Sequence, residues 1–127
     1  MTKAERVGDD SGFTIVHRDD FERDGRWLLA RRSLGLRSFG MNMVEIAPGD
    51  SLTEHDEIDR DQEEVFIVIS GHVIVVIDGE ENPAPAGTFV RVDPELRRNV
   101  VNKEGVDATV LIASAPRSSG YEPMGWA

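Results

Sequence analysis

The chain of 127 residues contains no cysteine, which removes disulfides, thiolate metal sites and cysteine nucleophiles together. Any metal must then be held by His, carboxylate or amide groups. Lysine is nearly absent as well: Lys3 and Lys103 are the only ones among 14 basic residues, against 24 acidic ones. The net charge of −10 repels phosphate backbones, so neither nucleic acid nor an anionic membrane surface is an expected partner. Long apolar runs are missing. The longest, Val65 to Ile69 and Val73 to Ile77, have five residues each, whereas a helical membrane span needs roughly 20. The opening Met1-Thr2-Lys3-Ala4-Glu5-Arg6 lacks the apolar core of a secretory signal, so the cytoplasm is the expected compartment.

What the chain does have is 12 Gly and 6 Pro set among many Val and Ile, a composition suited to short strands and tight turns. Phe13-Thr14-Ile15-Val16 reads as a first strand, followed by a turn-rich segment before Trp27-Leu28-Leu29-Ala30. Gly40 to Ala47 reads as a strand stopped by Pro48-Gly49, where Pro presets φ and Gly accepts a positive one. The strongest signal is Glu64 to Ser70, then Gly71, then His72 to Ile77, closed by Asp78-Gly79, a pair that favours a type I′ hairpin. Further strands are expected at Thr88 to Val92, Asn99 to Val101 and Ala108 to Ala113. Seven or eight short strands and no credible helix predict an all-β barrel or sandwich. The continuous apolar runs imply cover on both faces, from the core on one side and from a second subunit or the N-terminal segment on the other. One barrel over residues 13–114 is expected, with a polar tail at 1–12 and a C-terminal tail at 115–127.

Two stretches carry a more specific signal. Gly49 is followed after five residues by His55-Asp56-Glu57, and Glu64 is followed after six residues by Gly71. Farther on, Gly87 is followed after five residues by Asp93-Pro94-Glu95, then by Arg98 and Asn102. These spacings resemble the paired motifs of the cupin superfamily, small jelly-roll barrels also described as double-stranded β-helices. In that family the first motif carries His-x-His and a Glu, and the second carries a His. The resemblance implies that His55 and Glu64 stand at ligand positions, Glu57 at the second His and Arg98 at the last His. Six residues separate Glu57 from Glu64 where the family has three or four, which implies a longer loop at the barrel mouth.

A guanidinium has no lone pair to give to a metal, and its fixed charge opposes a cation nearby. The resemblance therefore supports a site without a cofactor, in which Arg98 supplies for Glu64 or Glu57 the positive charge that a metal supplies elsewhere. In that reading Arg98, with Arg91 and Arg97 as neighbours, anchors an anionic small molecule through its bidentate fork, and His55 and Glu64 are the candidate acid and base groups. Which of Arg97 and Arg98 faces inward depends on a register uncertain by one residue. The competing reading is a divalent metal, Zn, Mn, Fe or Ni, on His55, Glu57 and Glu64. The family hosts isomerases, lyases and oxygenases as well as binding proteins, so a small-molecule-binding barrel and an enzyme both stand. No DNA-binding segment accompanies the barrel.

The acidic stretch from Glu54 to Glu64, with Arg60 its only base, lacks the spacing of a calcium loop and reads as a solvated loop over the mouth. His72 and His17 lie outside the motifs. Trp27, Tyr121 and Trp126 are costly to leave exposed, and a tail that docks on its own barrel or across a dimer would cover the last two. A homodimer is the expected assembly.

Overall fold

A computed structural model describes residues 12–127; all of the expected N-terminal tail except Gly12 lies outside the described residues. The strands are β1 (Arg23–Asp24), β2 (Trp27–Leu28), β3 (Gly40–Ile46), β4 (Gln62–Ser70), β5 (His72–Ile77), β6 (Glu80–Pro85), β7 (Phe89–Val92), β8 (Arg98–Val101) and β9 (Ala108–Pro116). They pair antiparallel into a larger sheet, ordered β1-β2-β3-β9-β4-β7, and a smaller one, ordered β6-β5-β8. The two sheets close face to face as a jelly-roll barrel. Val44, Ile46, Phe66, Val68, Val73, Val75, Val92, Val100 and Val110 fill the space between them, each no more than 2% exposed.

The turn chemistry read from the sequence is realised. Asp78 and Gly79 both take positive φ, 48° and 82°, which gives the β5–β6 hairpin the twist of a type I′ turn. Gly49 has φ of 80°, and the Asp50 amide donates to the Ala47 carbonyl, closing a tight turn around Pro48-Gly49 at the end of β3.

Two expectations fail near the N-terminus. Phe13 to Val16 forms no strand, and Phe13 and Ile15 are 56% and 78% exposed. Alternating apolar residues suffice for a strand only where a sheet edge pairs with them, and this segment pairs with none. A helix, α1 (Ala30–Leu34), appears where none was expected. At five residues it carries no legible period, and Leu29 at its N-cap offers no capping side chain. Its end is orthodox: Gly35 in the left-handed conformation caps Arg31 and Arg32 carbonyls.

α1 and the preceding segment cover part of the outer face of the larger sheet. Phe21, Leu28, Ala30 and Met43 form a second apolar cluster there, joined by Val16, Leu34, Met41 and Leu111. The rest of that face, on β4, β7 and the end of β9, has no such cover among the described residues. The C-terminal tail does not supply one, since Tyr121, Met124 and Trp126 are 77%, 64% and 84% exposed.

On the inner face of the larger sheet, register sets side chains in rows. Gly40, Ser114 and Glu64 share one row across β3, β9 and β4; Asn42, Ile112 and Phe66 share the next; Val44, Val110 and Val68 share a third. The third row is fully buried and closes the barrel floor, while the first two border a cavity.

Candidate functional site

A cavity of about 340 Å³ opens between the sheets. His55, Glu57, Glu64 and Arg98 form its polar end, and Trp27, Leu52, Phe66, Val100 and Ile112 form apolar walls.

Arg98 is the most buried charged group among the described residues, 1% exposed. It begins β8, where burial alternates as Arg98 and Val100 inward, Asn99 and Val101 outward. The ambiguity between the two arginines is thereby resolved: Arg97 is half-exposed and lies between Glu54 and Asp56 on the outside. The Arg98 guanidinium is held by three acceptors: Nε donates to the Leu96 carbonyl, Nη2 to the Asp93 carbonyl and Nη1 to Glu64 Oε1 at 2.9 Å. Two of its five N–H groups remain.

His55 is placed by backbone pairing with the same residue. The His55 amide donates to the Arg98 carbonyl at 3.1 Å and the Arg98 amide returns the bond at 2.8 Å, so the loop continues the smaller sheet for one residue. His55 Nδ1 lies 2.9 Å from the Thr53 carbonyl, which can only accept, so Nδ1 carries the hydrogen. Nε2 then faces Glu57 Oε2 at 2.9 Å. Two lone pairs meet there unless a proton lies between them or a cation takes its place.

The longer loop does not carry Glu57 away. Ile58–Arg60 forms one 3-10 turn, Asp61 takes the left-handed conformation, and the Gln62 amide donates back to the Glu57 carbonyl. The extra residues are absorbed in this loop, which returns Glu57 to the mouth opposite Glu64. Outside, Arg117 ties Asp61 to Glu95 and Arg97 faces Glu54 and Asp56, so the acidic loop is strapped down by arginines.

Glu64 stands on the inner face of β4 and is mostly buried. Desolvation by burial is the main influence that holds its carboxyl above the ordinary range. The nearby Glu57 charge adds to the rise, and Arg98 and His55 pull against it. Donor atoms of His55, Glu57 and Glu64 lie within 4.8 Å of one another, a group able to hold a metal. The fit is partial: three donors of suitable type converge, but the side where a fourth would stand is occupied by a guanidinium bonded to one of them.

Arg91 is corrected. It sits on the outer face of β7 beside Asp93 and Glu63 and does not line the cavity, because Val92, its neighbour in the alternation, takes the inward position. His72 and His17 are also absent from the lining. Asn102 is fully buried, but its work is structural: Nδ2 donates to the Ile46 and Val106 carbonyls and Oδ1 accepts from the Glu104 amide. The sequence reading missed Arg26, Asn42 and Ser114, all of which line the cavity. The only available signal was a single polar residue, Asn42 or Ser114, among alternate positions of β3 and β9, which is ambiguous until the inward face is known, and Arg26 in the turn between β1 and β2 gave none.

Residues 42–114 match the family model described as the cupin domain. The chain belongs to the cupin family. Among curated proteins it is similar to the tetracenomycin polyketide synthase protein TcmJ of Streptomyces glaucescens, 31% identical over 91 residues that cover 72% of this chain and 60% of that protein. This cupin therefore spans less than two thirds of that relative's length. Among solved structures, a cupin protein from Bacteroides fragilis superposes with TM-score 0.74 over 90% of this chain and 92% of that one, at 19% identity. A sugar phosphate isomerase of the cupin superfamily from Silicibacter pomeroyi gives TM-score 0.64 at 26% identity, over 70% of this chain and 57% of that one.

Proposed function

We propose that this cupin binds a small organic molecule in its barrel without a metal. The ligand's apolar body lies against Trp27, Phe66 and Ile112, and its oxygen-bearing, acidic head meets His55 and the edge of the Arg98 guanidinium that borders the cavity. The observation that carries the reading is the Arg98–Glu64 pair: a buried carboxylate in a barrel needs a positive partner, and a permanent one already stands 2.9 Å away. Glu57 has its own partner in His55. Each acidic group at the polar end thus has a basic partner, and the edge of Arg98 that borders the cavity is left for a ligand oxygen. The name of the Streptomyces relative supports a polyketide-like carbon skeleton as the class of ligand.

One experiment separates this from its rival. Elemental analysis of the protein after dialysis is expected to find no stoichiometric transition metal, and a chelator is expected to leave the melting temperature unchanged. One equivalent of metal per chain would overturn the proposal. The convergence of His55, Glu57 and Glu64 is what favours that second reading, in which these three would hold the ion and it would act as a Lewis acid toward a bound oxygen. In either case His55 and Glu64, facing one ligand head, are the groups placed to move a proton if the chain is an enzyme.

A further inference from the structure

The polar lining of this cavity does not end at its mouth. Asn42 belongs to the row below Glu64, beside Ile112 with Phe66 beyond it, where the other two inward side chains are apolar. Its own inward neighbours along β3 are Gly40, which has no side chain, and Val44, which is fully buried. Among the described residues the Asn42 amide has no hydrogen-bond partner, yet the residue is half-buried and lines the cavity. Among the described residues no buried side-chain nitrogen or oxygen lacks a partner, so the Asn42 amide, unbonded within the chain, is open to the cavity and presents its donor and acceptor there. The row above supplies a contrast: Glu64 has Arg98, so its polarity is explained within the chain.

We propose that Asn42 is a specificity-determining residue that recognises a second oxygen on the ligand, deeper in the barrel than the head. The proposal rests on the pocket's being a small-molecule site, as set out above. Successive inward rows on a strand are two residues apart, roughly 7 Å. Asn42 on β3 also stands two strands from Glu64 on β4, so the ligand carries two hydrogen-bonding oxygens at opposite ends of an apolar body. The body is flat: the aromatic side chains of Trp27 and Phe66 both line the cavity. A carboxamide both donates and accepts, so a hydroxyl or a carbonyl oxygen satisfies it equally. Dioxygenated fused-ring compounds meet these requirements, and singly oxygenated ones leave the amide unpaired.

The test uses 2,6-dihydroxynaphthalene, whose hydroxyls lie at opposite ends of a rigid flat body, and 2-naphthol, which lacks the second. Calorimetric titration of the intact protein is expected to show the diol binding about five- to tenfold more tightly, the worth of one neutral hydrogen bond. Asn42→Leu and Asn42→Ala are both expected to abolish that preference while 2-naphthol still binds, and Asn42→Leu is expected to melt no lower than the native chain. Loss of preference in both variants excludes a steric effect of Leu. If both probes bind but the preference is absent in the native protein or survives in the variants, Asn42 has no such role and the small-molecule reading stands. If neither probe binds the native protein, the flat dioxygenated class is wrong and this proposal falls with it. The small-molecule reading would then be judged on its metal analysis.

Discussion

Arg98 and Glu64 meet inside the barrel at 2.9 Å, on opposite sheets, with the arginine 1% exposed and also held by two backbone carbonyls. Removing one member strands the other. Arg98→Met is expected to lower unfolding free energy by about 3–5 kcal/mol, the usual cost of breaking a buried pair. The double variant with Glu64→Leu is expected to recover most of that loss, because two apolar side chains replace both charges. Urea denaturation of the two variants checks this, and a double variant as unstable as the single one would show that the carbonyl contacts, not the charge pair, dominate.

The titration of Glu64 gives a prediction of definite sign. Burial, then the Glu57 charge, hold its carboxyl above the ordinary value of 4.5. A group raised in this way binds its proton more tightly in the folded chain. Its contribution therefore favours folding at low pH and is lost as pH climbs from the unfolded value through the folded one. Glu64→Gln cannot ionise, so its stability relative to the native protein is expected to improve as pH rises from the ordinary carboxyl value of 4.5 upward. Chemical denaturation across that range measures it, and a difference that stays flat or runs the other way contradicts the assignment.

Two glycines with similar φ should respond differently to substitution. Gly79, at 82°, borders open space where a methyl group would stand, so Gly79→Ala incurs only the left-handed strain, about 1–2 kcal/mol. Gly71, at 78°, faces the backbone of β9: an added Cβ would lie 2.7 Å from the Asp107 carbonyl oxygen and 2.8 Å from Ala108 Cα. Gly71→Ala is expected to lose about 3 kcal/mol or more, since the strain is joined by overpacking against atoms that cannot rotate away. Thermal melts of the two variants should be well separated.

The uncovered outer face makes an assembly prediction. Ile67 pairs with Phe89 across β4 and β7, Val65 and Ala113 continue the face onto β9, and Phe39 and Tyr121 flank it. Phe89, Tyr121 and Trp126 are 68%, 77% and 84% exposed. At roughly 150–250 Å² per fully buried aromatic, Phe89, Tyr121 and Phe39 with the aliphatic residues between them supply a large part of the roughly 800 Å² per partner of a standard interface. A second copy is the expected cover. Sedimentation velocity at micromolar concentration should report a dimer, and Phe89→Glu a monomer; a monomeric native protein would remove this surface from consideration as an interface.

By itself the sequence determined the barrel, its main strands and the loop positions that bear the site. Strand apolarity, Asp78-Gly79, Pro48-Gly49 and the spacing of His55, Glu64, Arg98 and Asn102 are local signals, and local geometry reads them. The absence of cysteine also held its meaning: His55, Glu57 and Glu64 are the only group of metal-ligating side chains brought together among the described residues. What tertiary structure decided was which side of each strand faces inward, and what stands opposite. A period of two separates faces without saying which is which, so Arg98 over Arg97, Val92 over Arg91 and the inward amide of Asn42 waited on the closing of two sheets. The position of Glu57 waited on a single 3-10 turn, and the loss of a strand at Phe13 to Val16 on the lack of an edge to join.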